Sequence, residues 1–400
     1  MKVLIVHNSY QQPGGEDVVF EQERQMLESE GHQVVVYRRS NWEIDAQSLF
    51  SRLTLAPKVI WSPEARREMA ELLRKHRPDL VHVHNTFAMM SPSIFAACQD
   101  SGVPVVQTLH NYRLFCPAAT FFRHGHICEE CVHENLWRSV VHGCYRDSRP
   151  ATGAIALMLA THRHLKTWTQ PSHYYIALTD FSRRKFVEGG LPEDKIFVKP
   201  NFVHPDPGLG SGDREYALFV GRLSPEKRVS TLLTAWQRLR ERIPLLIIGG
   251  GPERPNLEAD AKRRDITGLY FQGPLPRKHT IAAIQNARFL VFSSEWYENF
   301  PVTIAEAFAC GTPVIASRLG AMQEIIEDGR TGLLFRPGDS EALADKVSWA
   351  WNHSGPLREM AEEARREYQL KYTRATNYPQ LMRIYQSVTS SQPVTASSPQ

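Results

Sequence analysis

Short β-branched runs alternate with helix-period segments over one half of this chain and then again over the other, and nothing else in the sequence constrains its fold as strongly. That alternation is the pattern of a parallel sheet covered on both faces by helices. In the first half, strands are expected at Val3 to Val6, Gln33 to Tyr37, Leu80 to His84, Val103 to Thr108 and Tyr174 to Leu178. Between the first two, Asp17 to Glu30 sets Val18, Val19, Met26 and Leu27 on one side with charges opposite, and Gly31 stops the helix. The stretch Pro200 to Asp213 concentrates Pro, Gly and Asp without periodicity and reads as a linker. Strands resume at Tyr216 to Gly221, Pro244 to Ile248, Leu269 to Gln272, Phe289 to Phe292, Pro313 to Ala316 and Gly332 to Phe335.

With 400 residues, the chain is long enough for two separate cores. The expected organisation is a first domain over 1–205 with a cysteine-rich insert at 113–146, a second domain over 206–372, a helix over 373–388 crossing back to the first domain, and a disordered tail over 389–400. The formal charge of +4 leaves no electrostatic footprint for nucleic acid, though it suits an anionic substrate or a membrane surface. The opening Met1 to His7 is too short an apolar run for a signal segment, and Ala154 to Ala160 is far too short to span a bilayer. A cytoplasmic protein is expected, with peripheral attachment to the inner face of the membrane as a variant. In a reducing compartment the six cysteines are thiols or metal ligands and not a disulfide framework.

Open α/β sheets bind ligands beyond the carboxyl ends of their strands, so two doubly wound domains are expected to face one another across a cleft built from such loops. One of these loops, Ser294 to Pro301, leads from a strand into a helix starting near Val302. Amides and a positive dipole end there suit a phosphate. Glu298 stands just before the helix and Glu306 about two turns along it, so one carboxylate can address a sugar and the other a ribose; a solvated helix face is the plain alternative. After the first strand of the second half, Gly221-Arg222-Leu223 and Lys227 place two cations where a departing diphosphate would gather charge.

Taken together, Gly221-Arg222-Leu223 with Lys227, and Glu298 followed after seven residues by Glu306, resemble the retaining glycosyltransferases of family GT4, of GT-B fold. The resemblance implies two Rossmann-like domains, a nucleotide-sugar donor carrying UDP or GDP, and metal-independent transfer to a glycan or lipid-linked acceptor. It implies front-face attack with the leaving diphosphate helping to deprotonate the acceptor. By the same resemblance, Glu306 holds the ribose, Glu298 meets sugar hydroxyls, Arg222 and Lys227 hold the diphosphate, and His110 contacts the transferred sugar. Two departures stand out: Arg228 replaces the common Gly after the lysine, and Asn299-Phe300-Pro301 replaces Gly-Phe-Gly, so one backbone N–H is missing at Pro301. Val302, Gly250 in the turn Gly249-Gly250-Gly251, and Gly273 complete the expected donor contacts.

On the acceptor side, the glycine loop His7 to Asp17 aims amides toward the ligand, with Tyr10, Gly14, Gly15 and Glu16 as contacts and Gly15 also near the donor phosphate. His82 and His84 share one strand face; His82 is expected to pack, while His84, Asn85 and Arg113 line the acceptor site. Cys116, Cys128, Cys131 and Cys144 are spaced either for a structural zinc or for reduced thiols in a packed lid. Ala151 to Trp168 joins an apolar stretch to a basic end and suits either a membrane surface or a core. Two other activities fit parts of this pattern: a sugar-nucleotide epimerase, which needs no acceptor, and a silent nucleotide-sugar-binding subunit, which does not turn over.

Overall fold

The computed structural model describes residues 1–11, 14–44, 56–133, 135–210 and 215–390. By contact the chain divides into two units: residues 1–119, 129–199 and 378–400 form the first, and 120–128 with 200–377 form the second. The tail positions 391–400 and the end of the linker, 211–214, lie outside the described residues.

The first unit is built on a six-stranded sheet of β1 (Lys2–Ser9), β2 (Gln33–Ser40), β3 (Leu80–Asn85), β4 (Val105–Thr108), β7 (His173–Ala177) and β8 (Ile196–Val198). Its spatial order is β2-β1-β3-β4-β7-β8, and every pairing is parallel. Parallel strands are buried on both faces, which is why β1 and β3 are buried along nearly their whole length, their histidines and asparagines included. The helix Gly15–Ser29 connects β1 to β2 and buries Val19, Phe20, Glu23, Met26 and Leu27. Here the sequence expectation needs correcting, because Glu23 lies in the middle of the apolar stripe and not on the charged face. The helix Arg149–His164 buries Ile155, Met158, Leu159 and His162 in the core while Leu157 stays exposed. No helix among the described residues is long and apolar enough to cross a membrane.

The second unit repeats the scheme with β9 (Ala217–Val220), β10 (Leu245–Ile248), β11 (Leu269–Gly273), β12 (Phe289–Phe292), β13 (Val314–Ser317) and β14 (Gly332–Phe335). The order is β11-β10-β9-β12-β13-β14, again all parallel. The chain runs outward from β9 to β11 and then starts again beside β9 with β12. The loops after β9 and β12 therefore part in opposite directions and leave a crevice at this switch point, where ligands of such sheets bind. A core of Phe219, Leu232, Leu245, Phe289, Ile315 and Val347 fixes the strands that carry those loops.

Two segments depart from the expected domain limits. A short hairpin, β5 (Phe122–Arg123) with β6 (His126–Ile127), belongs by contact to the second unit although it comes from the insert placed in the first. The last helix, Arg374–Ser390, extends past the expected end at 388, and its residues from Tyr378 onward group with the first unit. Tyr385 anchors it there, its hydroxyl 2.7 Å from His82 Nδ1.

Candidate active site

In the second unit the loops after β9 and β12 are joined by backbone and side chain. Glu295 N–H donates to the Glu226 carbonyl at 2.9 Å, and Ser293 Oγ donates to the Lys227 carbonyl at 2.8 Å. This brings Lys227 Nζ into an ion pair with Glu298 Oε1. The same oxygen accepts from Ser294 Oγ at 2.8 Å and from Trp296 Nε1 at 2.7 Å. Glu298 is only 6% exposed, so these three donors are what allow a charged carboxylate there. The Lys227 ammonium also lies 5.1 Å from the Phe292 ring centre and 5.5 Å from that of Trp296, within cation–π range. Arg222, by contrast, is exposed, and its guanidinium has no partner among the described residues.

Glu306 sits on the helix Val302–Ala309, whose N-cap is Pro301. Burial raises its carboxyl above the usual range, against the pull of Arg277, whose Nε donates to Glu306 Oε1 at 3.1 Å. Arg277, at the start of the helix Arg277–Asn286, escaped the sequence reading; its only signal was its position just past Pro276. At the helix start, Pro301 supplies no N–H, but the first-turn amides of Val302 and Thr303 have no carbonyl within their own helix to bond. Phe300 is buried and packs edge-on against Tyr372, ring centres 5.4 Å apart. Its side chain is therefore not available as the expected donor contact; its backbone is. Asn299 is likewise buried.

The glycines close the site from the β10 and β11 side. Gly249 and Gly251 have φ of +143° and +157°, and a Cβ on either would collide with the Gly221 or Leu223 carbonyl. Backbone bonds from Leu223 N–H to the Gly250 carbonyl (2.8 Å) and from Gly249 N–H to the Gly273 carbonyl (2.9 Å) tie the three loops together. Arg228, in the place where glycine is common, adopts φ +49°, a conformation costing about 1 kcal/mol for a side-chain-bearing residue. Its guanidinium offsets this by bonding Glu295 at 2.9 Å and the Gly125 carbonyl at 2.6 Å.

The first unit gathers His7, His82, His84 and His110 at the ends of β1, β3 and β4. His84 Nδ1 lies 2.9 Å from His110 Nε2, with the rings stacked at 5.2 Å. His84 is only 3% exposed and Asn85 is buried, bonded to the Asn8 carbonyl and to Glu16 Oε1 at 2.7 and 2.9 Å. Strand packing turns both side chains inward, where they contact His110 and Glu16. Glu16 itself is half-buried, and crowding by protein together with the neighbouring Asp17 pushes its carboxyl up to about 8. Burial likewise raises the Tyr10 hydroxyl. Arg113 donates to the Pro117 carbonyl and stacks over Phe87 and Tyr145 at 4.3 and 5.3 Å, so its charge is engaged locally. Gly14 caps the helix that Gly15 begins; Gln12 and Pro13 of that loop lie outside the described residues.

A structural zinc on the four insert cysteines is not supported. No disulfide links any of the six, and no three of Cys116, Cys128, Cys131 and Cys144 lie within reach of one ion. Among the described residues, one group of three potential ligands does converge, namely Glu23, His82 and His84. Lys199 Nζ already bonds Glu23 at 2.6 Å, and both His82 nitrogens are engaged, so this group is a hydrogen-bonded core.

Comparison with known proteins follows this geometry. Residues 13–207 match the family model for Glycosyltransferase Family 4, and residues 206–367 match that for Glycosyl transferases group 1. The chain belongs to glycosyltransferase family 4. Among curated relatives of this family member, phosphatidyl-myo-inositol mannosyltransferase of Mycobacterium leprae is 33% identical over 57% of this chain and 62% of its own. Sulfoquinovosyl transferase of Arabidopsis thaliana is 32% identical over 80% of this chain and 57% of its own. Both alignments thus span less than two thirds of the relative. Among solved structures, sucrose-phosphate synthase from Thermosynechococcus elongatus superposes with TM-score 0.73 at 16% identity, covering 98% of this chain and 100% of that one. HepE of Anabaena, solved with UDP and glucose, gives 0.68 at 18% identity over 97% and 100%. These likenesses show the GT-B class of fold, two Rossmann-like α/β domains.

Proposed function

We propose that the protein is a retaining glycosyltransferase that takes a sugar from a UDP- or GDP-sugar and places it on a glycan or lipid-linked acceptor in glycoconjugate synthesis. The observation that carries this reading is the meeting of Lys227 and Glu298 from the two loops of the switch point in the second unit, with exposed Arg222 on the Lys227 loop and buried Glu306 on the helix that the Glu298 loop enters. The donor lies on the second unit. Its ribose hydroxyls bond Glu306, an arrangement that a buried carboxylate steadied by Arg277 suits. Its diphosphate takes Arg222, Lys227 and the first amides of the helix Val302–Ala309. Charge grows on that diphosphate as the glycosidic bond breaks, and two fixed cations stabilise it there without a metal ion. Both glutamates are bonded to cations, which holds their oxygens in place to accept from donor hydroxyls.

The acceptor and the sugar meet the first unit at Tyr10, the glycine loop, Glu16 and His110. The mechanism we assign is front-face attack, in which the protein positions groups and stabilises charge. The relatives, a mannosyltransferase and a sulfoquinovosyl transferase, and the UDP-glucose bound to HepE favour a hexose-type sugar. The test is donor turnover with Arg222→Ala and Glu306→Ala. Loss of sugar transfer in both supports the assignment, and unchanged transfer in both refutes it.

A further inference from the structure

Glu23, His84 and His110 form a line of polar contacts through the interior of the first unit, with Lys199 at its inner end. Neither Glu23 nor Lys199 has any exposure. Lys199 Nζ donates to Glu23 Oε1 at 2.6 Å, and Glu23 Oε2 lies 3.3 Å from His84 Nε2. These two atoms, Glu23 Oε2 and His84 Nε2, have no other hydrogen-bond partner. The nearby His82 is spoken for, since its Nδ1 meets the Tyr385 hydroxyl at 2.7 Å and its Nε2 meets Thr108 Oγ1 at 2.8 Å.

The chemistry of these groups fixes the protons. Burial alone would raise the Glu23 carboxyl, but Lys199 and His84 outweigh it and hold it well below its usual range, so it is a carboxylate and can only accept. The proton facing it must therefore sit on His84 Nε2. With that one proton on the ring its Nδ1 is bare, and that atom lies 2.9 Å from His110 Nε2. His110 must donate from Nε2, and burial keeps its ring neutral, which leaves its Nδ1 without a proton.

We propose that Glu23, clamped by Lys199, is a positioning residue that acts through His84 to hold His110 in one tautomer and orientation, presenting Nδ1 as acceptor for a hydroxyl of the transferred sugar. The sugar contact rests on the function proposed above; the tautomer control does not. An outer carboxylate that orients a reactive imidazole is a general device, and its loss leaves the ring in place but wrongly protonated. A buried ion pair can often be replaced by apolar side chains at little cost in stability, so the effect of Glu23 on the imidazoles is separable from its effect on folding.

The experiment is a Glu23→Leu/Lys199→Met double variant, with histidine tautomers read by nitrogen NMR of the protein alone and transfer kinetics measured alongside. In the parent protein His84 and His110 should each carry the proton on Nε2. In the folded double variant the single His110 tautomer should be lost, and kcat should fall about 10- to 100-fold with the donor KM changed far less. If the double variant does not fold, His84→Phe keeps the ion pair, cuts the relay and should give the same two results. An unchanged His110 tautomer in a folded variant overturns the proposal, and so does a changed tautomer with undiminished kcat. The assigned sugar contact has its own control: His110→Ala with full activity would refute that contact while leaving the tautomer result to judge the relay.

Discussion

Lys227 and Glu298 are bonded to one another although they come from different strands' loops, and the bond crosses the point at which the second sheet reverses its strand order. A donor diphosphate must share Lys227 with Glu298. Removing the lysine therefore has two effects at once. Lys227→Ala should slow transfer by roughly 10²–10³-fold, as loss of one preorganised charge-stabilising group does. It should also cost about 1–3 kcal/mol of stability, because a buried carboxylate loses one of its three donors. Denaturant unfolding and kinetics on the same preparation check both.

Arg222 makes the opposite prediction. Its guanidinium is exposed and has no partner among the described residues. Arg222→Ala should leave stability within about 0.5 kcal/mol of the parent, as surface substitutions usually do, while weakening the response to nucleoside diphosphates. Thermal unfolding with and without UDP or GDP separates the two effects; a variant destabilised even without nucleotide would contradict this account of the residue.

Glu16 gives a pH dependence with a definite sign. Its carboxyl titrates near about 8 in the folded protein against an ordinary 4.5, so the folded state binds the extra proton between those values. The associated stability is complete below the ordinary value and is lost as pH rises through the raised one. Glu16→Gln keeps the shape without the proton. Its midpoint of thermal unfolding should fall less between about pH 5 and pH 8 than that of the parent, and parallel curves would show that Glu16 does not titrate in this way.

Gly249 and Gly251 allow no side chain. Alanine at either must leave a backbone conformation that L residues rarely adopt and must push away the Gly221 or Leu223 carbonyl. Gly249→Ala is expected to destabilise by about 1–3 kcal/mol and to weaken nucleotide binding through the displaced Arg222 loop. Calorimetric titration with a nucleoside diphosphate reads the second effect. Alanine at exposed Gly14, where a Cβ meets nothing within 4 Å, is the control expected to keep stability.

The strands were legible because parallel sheets write themselves as buried apolar runs between turn residues; Phe289–Phe292 and Gly332–Phe335 match their expected limits. The Lys227 and Glu298 loops were legible as two separate motifs, and the topology brings them together at the switch point; Arg222 bonds neither glutamate, and the partner of Glu306 is Arg277. Other features depend on contacts that no local pattern carries. The three-residue strand Ile196–Val198 is too short to show periodicity. Glu23 and Lys199 lie 176 positions apart and look like ordinary surface charges singly, although the place of Glu23 between Val19 and Met26 on the helix marked it as inward-facing. The cysteine spacing says nothing of which unit each segment packs against. The hairpin containing Cys128 is held to the second unit partly by Arg228, through the Gly125 carbonyl.

The central claim is that the second unit binds a nucleotide-sugar donor through Arg222, Lys227, Glu298 and Glu306. The most direct measurement is thermal unfolding of the parent and of Glu306→Ala in UDP, GDP and their sugars, since a ligand of the folded state raises the midpoint by mass action. The account predicts a rise for the parent with at least one of the two nucleotide classes, and loss of most of that rise in Glu306→Ala. A rise of equal size in both proteins, or none in the parent with any donor at saturating concentration, would contradict it.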